Sequence, residues 1–224
     1  MKAVVRGAAV AAVLALTVTA CGEGNSTAGS TAAGSAGAGT TAAGSTAAGS
    51  AGTSPAWIDA TGLFSALPVE SGVGDIFVGD DAAVIQDGEA LAECSKETKS
   101  SCAGIQAAGK KEMEARGSDE TRLEFTLFTF ATTDQAAGTM RDLAEQRRKK
   151  SAENGTAPQP LTIDSGADET EAMRDGDRCH IVMRIGTVVS HVYTNGAQDG
   201  NVEHAVKVQV ARVKSVAAGI NPDR

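Results

Sequence analysis

The sequence lacks the short motifs that mark common catalytic sites. It has no Gly-x-Ser-x-Gly elbow, no glycine-rich phosphate loop and no His-Glu-x-x-His pair. It also has no Cys-x-x-Cys pair, and none of its three histidines lies at zinc-finger spacing from a cysteine. Asp80, Asp81 and the carboxylates of residues 168–171 lie in polar, loop-like segments, where we expect ordinary solvated charges. These absences predict a protein that is not an enzyme and that holds no metal or other cofactor.

Positive charge and long apolar runs are scarce as well. The chain has 20 Lys and Arg against 28 Asp and Glu, which gives a net charge of −8. No basic surface is therefore expected for a nucleic acid. The basic run at residues 147–150 falls at the end of a predicted helix, where cations favour the helix dipole. The uncharged run at residues 7–16 is too short for a membrane-spanning helix, which needs about 20 apolar residues.

The N-terminal residues have the layout of a secretory signal. Lys2 and Arg6 precede the apolar run, and small residues follow it up to Cys21. The segment Val18-Thr19-Ala20-Cys21 resembles the bacterial lipobox, which implies cleavage before Cys21 and a diacylglyceryl thioether on its sulfur. The alternative is an ordinary cleaved signal with a cysteine nearby.

This signal divides the chain into three parts. We predict a lipoprotein signal peptide at residues 1–20, a lipidated cysteine with a flexible Ser/Thr/Ala/Gly tether at residues 21–53, and a single extracytoplasmic domain at residues 54–224. Cleavage removes two positive charges from the net −8, which leaves −10 on the mature chain. A Gly/Ser-rich tether of about 30 residues spans roughly 30 Å on average, so the domain is expected to stay near the membrane.

Cysteine is sparse, with four residues in the chain. Once Cys21 is assigned to lipid, Cys94, Cys102 and Cys179 remain in an oxidising compartment, where a disulfide can form. Cys94 and Cys102 are close in sequence and flank a polar loop, so we predict a disulfide between them. Cys179 then remains as a buried thiol in a strand.

Hydrophobic periodicity predicts an α+β domain, with an antiparallel sheet of about five strands and helices packed on one face. The clearest strand is 121–130, where Leu123, Phe125 and Leu127 alternate with polar residues. We expect it to form a hairpin with a strand at 104–114. The other three predicted strands are 168–174, 178–185 and 188–194.

Capping and turn residues bound the predicted helices. The first covers 55–67, with Trp57 as a core anchor, and the last covers 202–218. The helix at 132–151 begins with a capping box of Thr132 and Gln135. Residues 71–81 are expected to be a loop, and residues 82–94 to become helical at 89–94.

The predicted hairpin of residues 178–194 separates its side chains onto two faces. A type II′ turn at Gly186-Thr187 pairs Ile185 with Val188. One face is then buried, with Cys179, Ile181, Met183, Ile185, Val188 and Val192. The other face holds the candidate ligand residues His180, Arg184, His191 and Tyr193. It is interpreted either as a metal or anion site or as a solvent-exposed face of mixed residues, and the lack of a carboxylate within this hairpin's face favours the second.

The block Arg184-Ile185-Gly186-Thr187-Val188-Val189, followed by an amphipathic helix, resembles the PknH-like family of extracellular sensor domains. The segment Cys102-Ala103-Gly104 at the start of the first long strand is similar as well. Members occur in mycobacterial kinases and as stand-alone actinobacterial lipoproteins, and the resemblance covers roughly residues 57–219. It implies an antiparallel sheet with helices, a central cleft and ligand binding outside the cell. The family usually has two disulfides, whereas three unlipidated cysteines are present here.

These features together favour a lipid-anchored, extracytoplasmic ligand-binding or sensor-type module without catalytic activity. The alternative is a cell-envelope lipoprotein that scaffolds another protein or binds a cell-wall polymer, and a third hypothesis is a hydrolase with an unrecognised site. The expected partners are the membrane, through the lipid on Cys21, and an unidentified small molecule or envelope protein, but no nucleic acid.

Overall fold

The computed structural model describes residues 58–224, with the exception of the side chain of Asp119. The predicted signal peptide, the lipidation site at Cys21, the tether and Trp57 therefore lie outside the described residues. No helix within the described range is both long and apolar enough to cross a bilayer.

Thirteen helices and strands follow one another along residues 58–224. The helices are α1 Ala60–Ala66, α2 Glu70–Val73, α3 Asp87–Thr98, α4 Thr133–Glu153 and α5 Asp199–Ala217. The strands are β1 Phe77–Gly79, β2 Ala83–Gln86, β3 Ile105–Ala115, β4 Ser118–Phe130, β5 Gln159–Pro160, β6 Glu169–Asp175, β7 Arg178–Ile185 and β8 Val188–Asn195.

All eight strands belong to one antiparallel sheet. The order is β1–β3–β4–β8–β7–β6–β5, and β2 pairs with β3 next to the residues that pair with β1. The α+β prediction is confirmed, but the estimate of five strands is too low. The strands that sequence reasoning missed are β1, β2 and β5, which have two to four residues each and so show too little alternation to be recognised.

The two predicted hairpins are present, and the register predicted for the second one is confirmed. The hairpin of β3 and β4 turns at Arg116 and Gly117. In the hairpin of β7 and β8, Ile185 pairs with Val188 and Ile181 with Val192. Gly186 has a φ of +59°, which a glycine at the first position of a type II′ turn adopts without strain.

Helices cover both faces of the sheet, so the prediction of helices on one face is wrong. On one face, α1 and α5 bury a core that includes Leu123, Phe125 and Leu127 of β4. On the other face, α3 and α4 bury a core that includes Phe128 and Phe130 of the same strand. A strand with large apolar side chains on both sides needs a covering layer on each side, because each exposed face would leave apolar area in water.

Local capping residues account for the ends of the long helices. In α4, the Thr132 hydroxyl accepts from the Gln135 backbone N–H, and the Gln135 side chain accepts from the Thr132 N–H, which confirms the predicted capping box. The last helix begins at Asp199 after Gln198, three residues before the predicted start at residue 202. It ends at Ala217, shortly before Gly219, whose φ is +76°.

The segment between the first helix and β3 is more structured than the sequence indicated. The predicted loop at 71–81 contains the end of α2 and all of β1, and residues 82–94 contain β2 before α3 begins. Cys94 and Cys102 are joined by a disulfide, as predicted, with their Cα atoms 6.2 Å apart. This bond fixes the end of α3 to the chain that enters β3, while Cys179 remains a buried free thiol.

Candidate functional site

A polar cavity lies between the C-terminal half of α4 and the sheet, and it has a volume of about 300 Å³. That volume is at the lower end of the range found for small-molecule sites. The lining residues come from α3, α4 and five strands: Glu97, Lys110, Arg122, Glu124, Arg147, Lys150, Ser151, Asn154, Asp175, Arg178, His180, His191 and Tyr193.

The cavity forms where the apolar stripe of α4 ends. The buried stripe consists of Ala136, Met140, Leu143 and Ala144, and it packs on the α3/α4 side of the sheet. At the helical spacing that follows, the same face of α4 carries Arg147 and Ser151. The last turns of the helix thus hold polar groups above the sheet, and the cavity lies beneath them.

The floor of the cavity consists of side chains from adjacent strands. Glu124, Tyr193 and His180 lie side by side on β4, β8 and β7, and His191 lies on the same face of β8. His180 Nδ1 is 3.2 Å from His191 Nε2, so one ring nitrogen donates to the other. The Tyr193 ring lies 5.0 Å from that of His180, and the Arg122 guanidinium carbon lies 5.6 Å from the Tyr193 ring centre.

Both histidines are uncharged at neutral pH. Burial, followed by the positive charge of Arg147, lowers the pKa of His180 from 6.5 to about 4. Burial, again followed by Arg147, lowers the pKa of His191 well below its ordinary value. The pair therefore presents neutral ring nitrogens, and it is not a source of positive charge in the cavity.

Arg147 is the cation that lies deepest in the site. Its guanidinium donates to the Glu97 carboxylate, and its Nε is buried without a hydrogen-bond partner among the described residues. Burial alone would raise the pKa of Glu97, but the hydrogen bond and the charge of Arg147 outweigh this effect and lower it. Since Glu97 lies between Cys94 and Cys102, the disulfide restrains the carboxylate that holds Arg147.

The lining groups carry more positive than negative charge. There are five cations against the three carboxylates Glu97, Glu124 and Asp175, so the cavity has a net charge of +2 in a chain of net −8. Lys110 lies 3.4 Å from Glu124. Within the part of the chain that the structure describes, Lys150 and Arg178 have no carboxylate within 4.0 Å, so both stay available to an anion.

The predicted candidate face is divided by the structure. His180, His191 and Tyr193 meet in the cavity, whereas Arg184 lies elsewhere and forms ion pairs with Asp168 at 3.3 Å and Glu169 at 2.8 Å. The interpretation as a solvent-exposed face is wrong, since α4 covers it and His191 is 3% exposed. Among the described residues, no group of three or more His, Cys, Asp or Glu side chains is arranged to hold a metal ion.

Most of the charged lining was missed by sequence reasoning. Lys110, Arg122, Glu97 and Arg178 come from separate elements that only the tertiary fold brings together. One signal was present in the sequence, because Arg147 continues the helical spacing of the apolar stripe and was therefore placed to be buried.

The fold and the site define an antiparallel α+β domain with a polar, net-positive cavity beneath one helix. No family model and no curated protein matches the chain. Among solved structures, it is similar to the extracellular domain of PknH from Mycobacterium tuberculosis, with 13% identity, a TM-score of 0.46, and coverage of 67% of this chain and 93% of that one. It is also similar to the Rv0999 orthologue from Mycobacterium smegmatis, with 12% identity, a TM-score of 0.39, and coverage of 69% and 96%.

The first of these structures is an extracellular domain of PknH, and the sequence was found above to resemble the PknH-like family. Membership of that family stays a prediction.

Proposed function

We propose that this protein is an extracytoplasmic, lipid-anchored binding module of the sensor type, and that its ligand is a small anion held in the polar cavity. The observation that carries the proposal is the net charge of +2 on a cavity of about 300 Å³ in an otherwise acidic chain. Solvated acidic surfaces are common, whereas five cations gathered around one cavity raise the local concentration of anions and favour a bound counter-charge.

The cavity offers an anion both charge and hydrogen bonds. Arg147 lies inside with an unpartnered Nε, and Arg178 and Lys150 lie at exposed positions of the lining. Guanidinium groups bind phosphate and carboxylate oxygens in a planar, two-pronged geometry, and lysine adds a point charge. Because one neutral imidazole donates its N–H to the other, the pair keeps one N–H, which can donate to an anion without adding charge that the site would have to bury.

The location outside the cytoplasm is supported by the N-terminal pattern that ends at Cys21 and by the disulfide between Cys94 and Cys102. The non-catalytic character of the module is part of the proposal, and it rests on the lack of a recognised catalytic motif in the sequence.

Calorimetric titration of the full-length protein in detergent with inorganic phosphate and small organic anions tests the ligand class. We expect binding that weakens as salt is added. The paired change Lys150→Ala and Arg178→Ala should weaken it by at least about tenfold, because hydrogen bonds to charged groups contribute about 1.5–3 kcal/mol.

The matched control removes the same charge from two exposed α4 positions outside the cavity, Arg141→Ala and Lys149→Ala, and it should leave the affinity within about threefold. Equal losses in both variants would show a diffuse charge effect and would reject the cavity as the site. Lipid attachment is tested separately, since globomycin should block processing before Cys21.

A further inference from the structure

A second cavity adjoins the polar one, and it is apolar. It has a volume of about 190 Å³ and lies between β2, α3 and the central strands. Its lining residues are Ala83, Ile85, Glu93, Ala108, Gly109, Lys110 and Thr126.

The two cavities are neighbours on the same face of the sheet. Ala83 pairs with Lys110, Lys110 with Thr126, and Thr126 with His191, so these four residues form one row across β2, β3, β4 and β8. Adjacent strands are about 4.8 Å apart, so the row is roughly 15 Å long. The apolar cavity lies at its Ala83 end and the polar cavity at its His191 end, and Lys110 lines both.

Lys110 is suited to separate a charged group from an apolar one. Its ammonium lies 2.8 Å from Glu112 and 3.4 Å from Glu124, and Glu124 belongs to the polar cavity. The charged end of Lys110 is therefore directed to the polar cavity, and its methylene stem is the part that can line the apolar cavity. Long cationic side chains commonly cover apolar surface with the stem in this manner.

We propose that the site takes a small anion that carries a short apolar group, with the charge in the polar cavity and the apolar group across Lys110 in the cavity beside Ala83. The inference rests on the proposed function, because it extends the same site. The volume of about 190 Å³ fits a short chain or one ring, and it is too small for a pair of long acyl chains.

The test compares two probes with the same charge, ethyl phosphate and hexyl phosphate, by calorimetric titration of the full-length protein in detergent. Both probes are kept below the concentration at which they partition into the micelles. Each buried methylene raises affinity by about fourfold. Because the apolar cavity is open to solvent on one side, we expect hexyl phosphate to bind at least about tenfold more tightly than ethyl phosphate.

The variant Ala83→Phe adds a bulky side chain at an exposed alanine that lines the apolar cavity. It should reduce the preference for the hexyl probe to about twofold or less and leave ethyl phosphate within about twofold of the parent. Val78→Phe, on an exposed residue of β1 outside both cavities, is the control and should keep the full preference.

The possible failures are distinguishable. Equal binding of both probes would overturn the inference and leave the proposed anion site in place. An unchanged preference in Ala83→Phe would show that the chain lies elsewhere, which also overturns it. If neither probe binds, both the inference and the proposed function fail.

Discussion

Lowering the pH from 7 to 5 should destabilise the domain through the buried histidines. His180 has a pKa of about 4 in the folded protein and an ordinary value of 6.5 when unfolded. Between these values the unfolded state binds more protons, so the free energy of unfolding falls as the pH falls. With these two pKa values, the loss from pH 7 to pH 5 is about 2 kcal/mol for His180 alone. His191, whose pKa is also lowered, adds to the loss in the same direction.

The perturbation is the double variant His180→Gln and His191→Gln, in which neither position titrates. We expect it to be less stable than the parent at pH 7, because it loses the contact between the rings. Between pH 7 and 5, the free energy of unfolding should nevertheless fall less in the double variant than in the parent. The difference between the two decreases should be at least about 2 kcal/mol. Urea unfolding followed by circular dichroism at pH 7, 6 and 5 measures this difference.

His204 provides the matched control, because it is the third histidine of the chain and lies exposed on α5. The variant His204→Gln should keep the pH dependence of the parent. Glu97 does not interfere with this measurement. Because the pKa of Glu97 is lowered in the folded protein, its contribution to stability is lost only as the pH falls below the ordinary pKa of 4.5. A parent protein with constant stability from pH 7 to 5, or a double variant with the full loss, would refute the reasoning.

Three further predictions concern stability, and urea unfolding at pH 7 measures each. Leu127→Ala empties a fully buried position in the α1/α5 core and should cost about 2–5 kcal/mol. Gly104→Ala should cost roughly 1–3 kcal/mol, because Gly104 has a φ of +78° and a Cβ there would overlap the Gln135 amide of the capping box. Replacing Cys94 and Cys102 by Ser together should cost about 2–3 kcal/mol by releasing a short loop. A loss below about 0.5 kcal/mol in any variant would contradict its prediction.

The long elements were predictable because their local signals are consistent with one another. The five predicted strands correspond to β3, β4, β6, β7 and β8. The turn at Gly186-Thr187 fixed the register of β7 and β8 from the sequence alone, since a two-residue turn allows one pairing. The helix that begins after Thr132 was likewise set by its capping box. Local chemistry was sufficient in each of these cases.

The short edge strands were not predictable from such signals. β1 pairs with residues 113–115 and β2 with residues 107–110, so both strands are formed by docking on β3. Strands of three or four residues have almost no periodicity of their own, and their partners decide their structure. The same holds for the charged lining of the polar cavity, because it is collected from seven elements by the packing of α4 and α3 on the sheet.

The burial of the histidine face was nevertheless encoded in the sequence of another strand. In β4, the alternation of Leu123, Phe125 and Leu127 is followed by Phe128 and Phe130 on the opposite face, and all five side chains are 0% exposed. Two large aromatic side chains on the second face of a central strand require a cover on that side. The face of β7 and β8 that carries the two histidines continues that side of β4. A covering layer on the histidine side of the sheet therefore follows from β4, although beside His191 and Tyr193 that strand carries the polar Thr126 and Glu124.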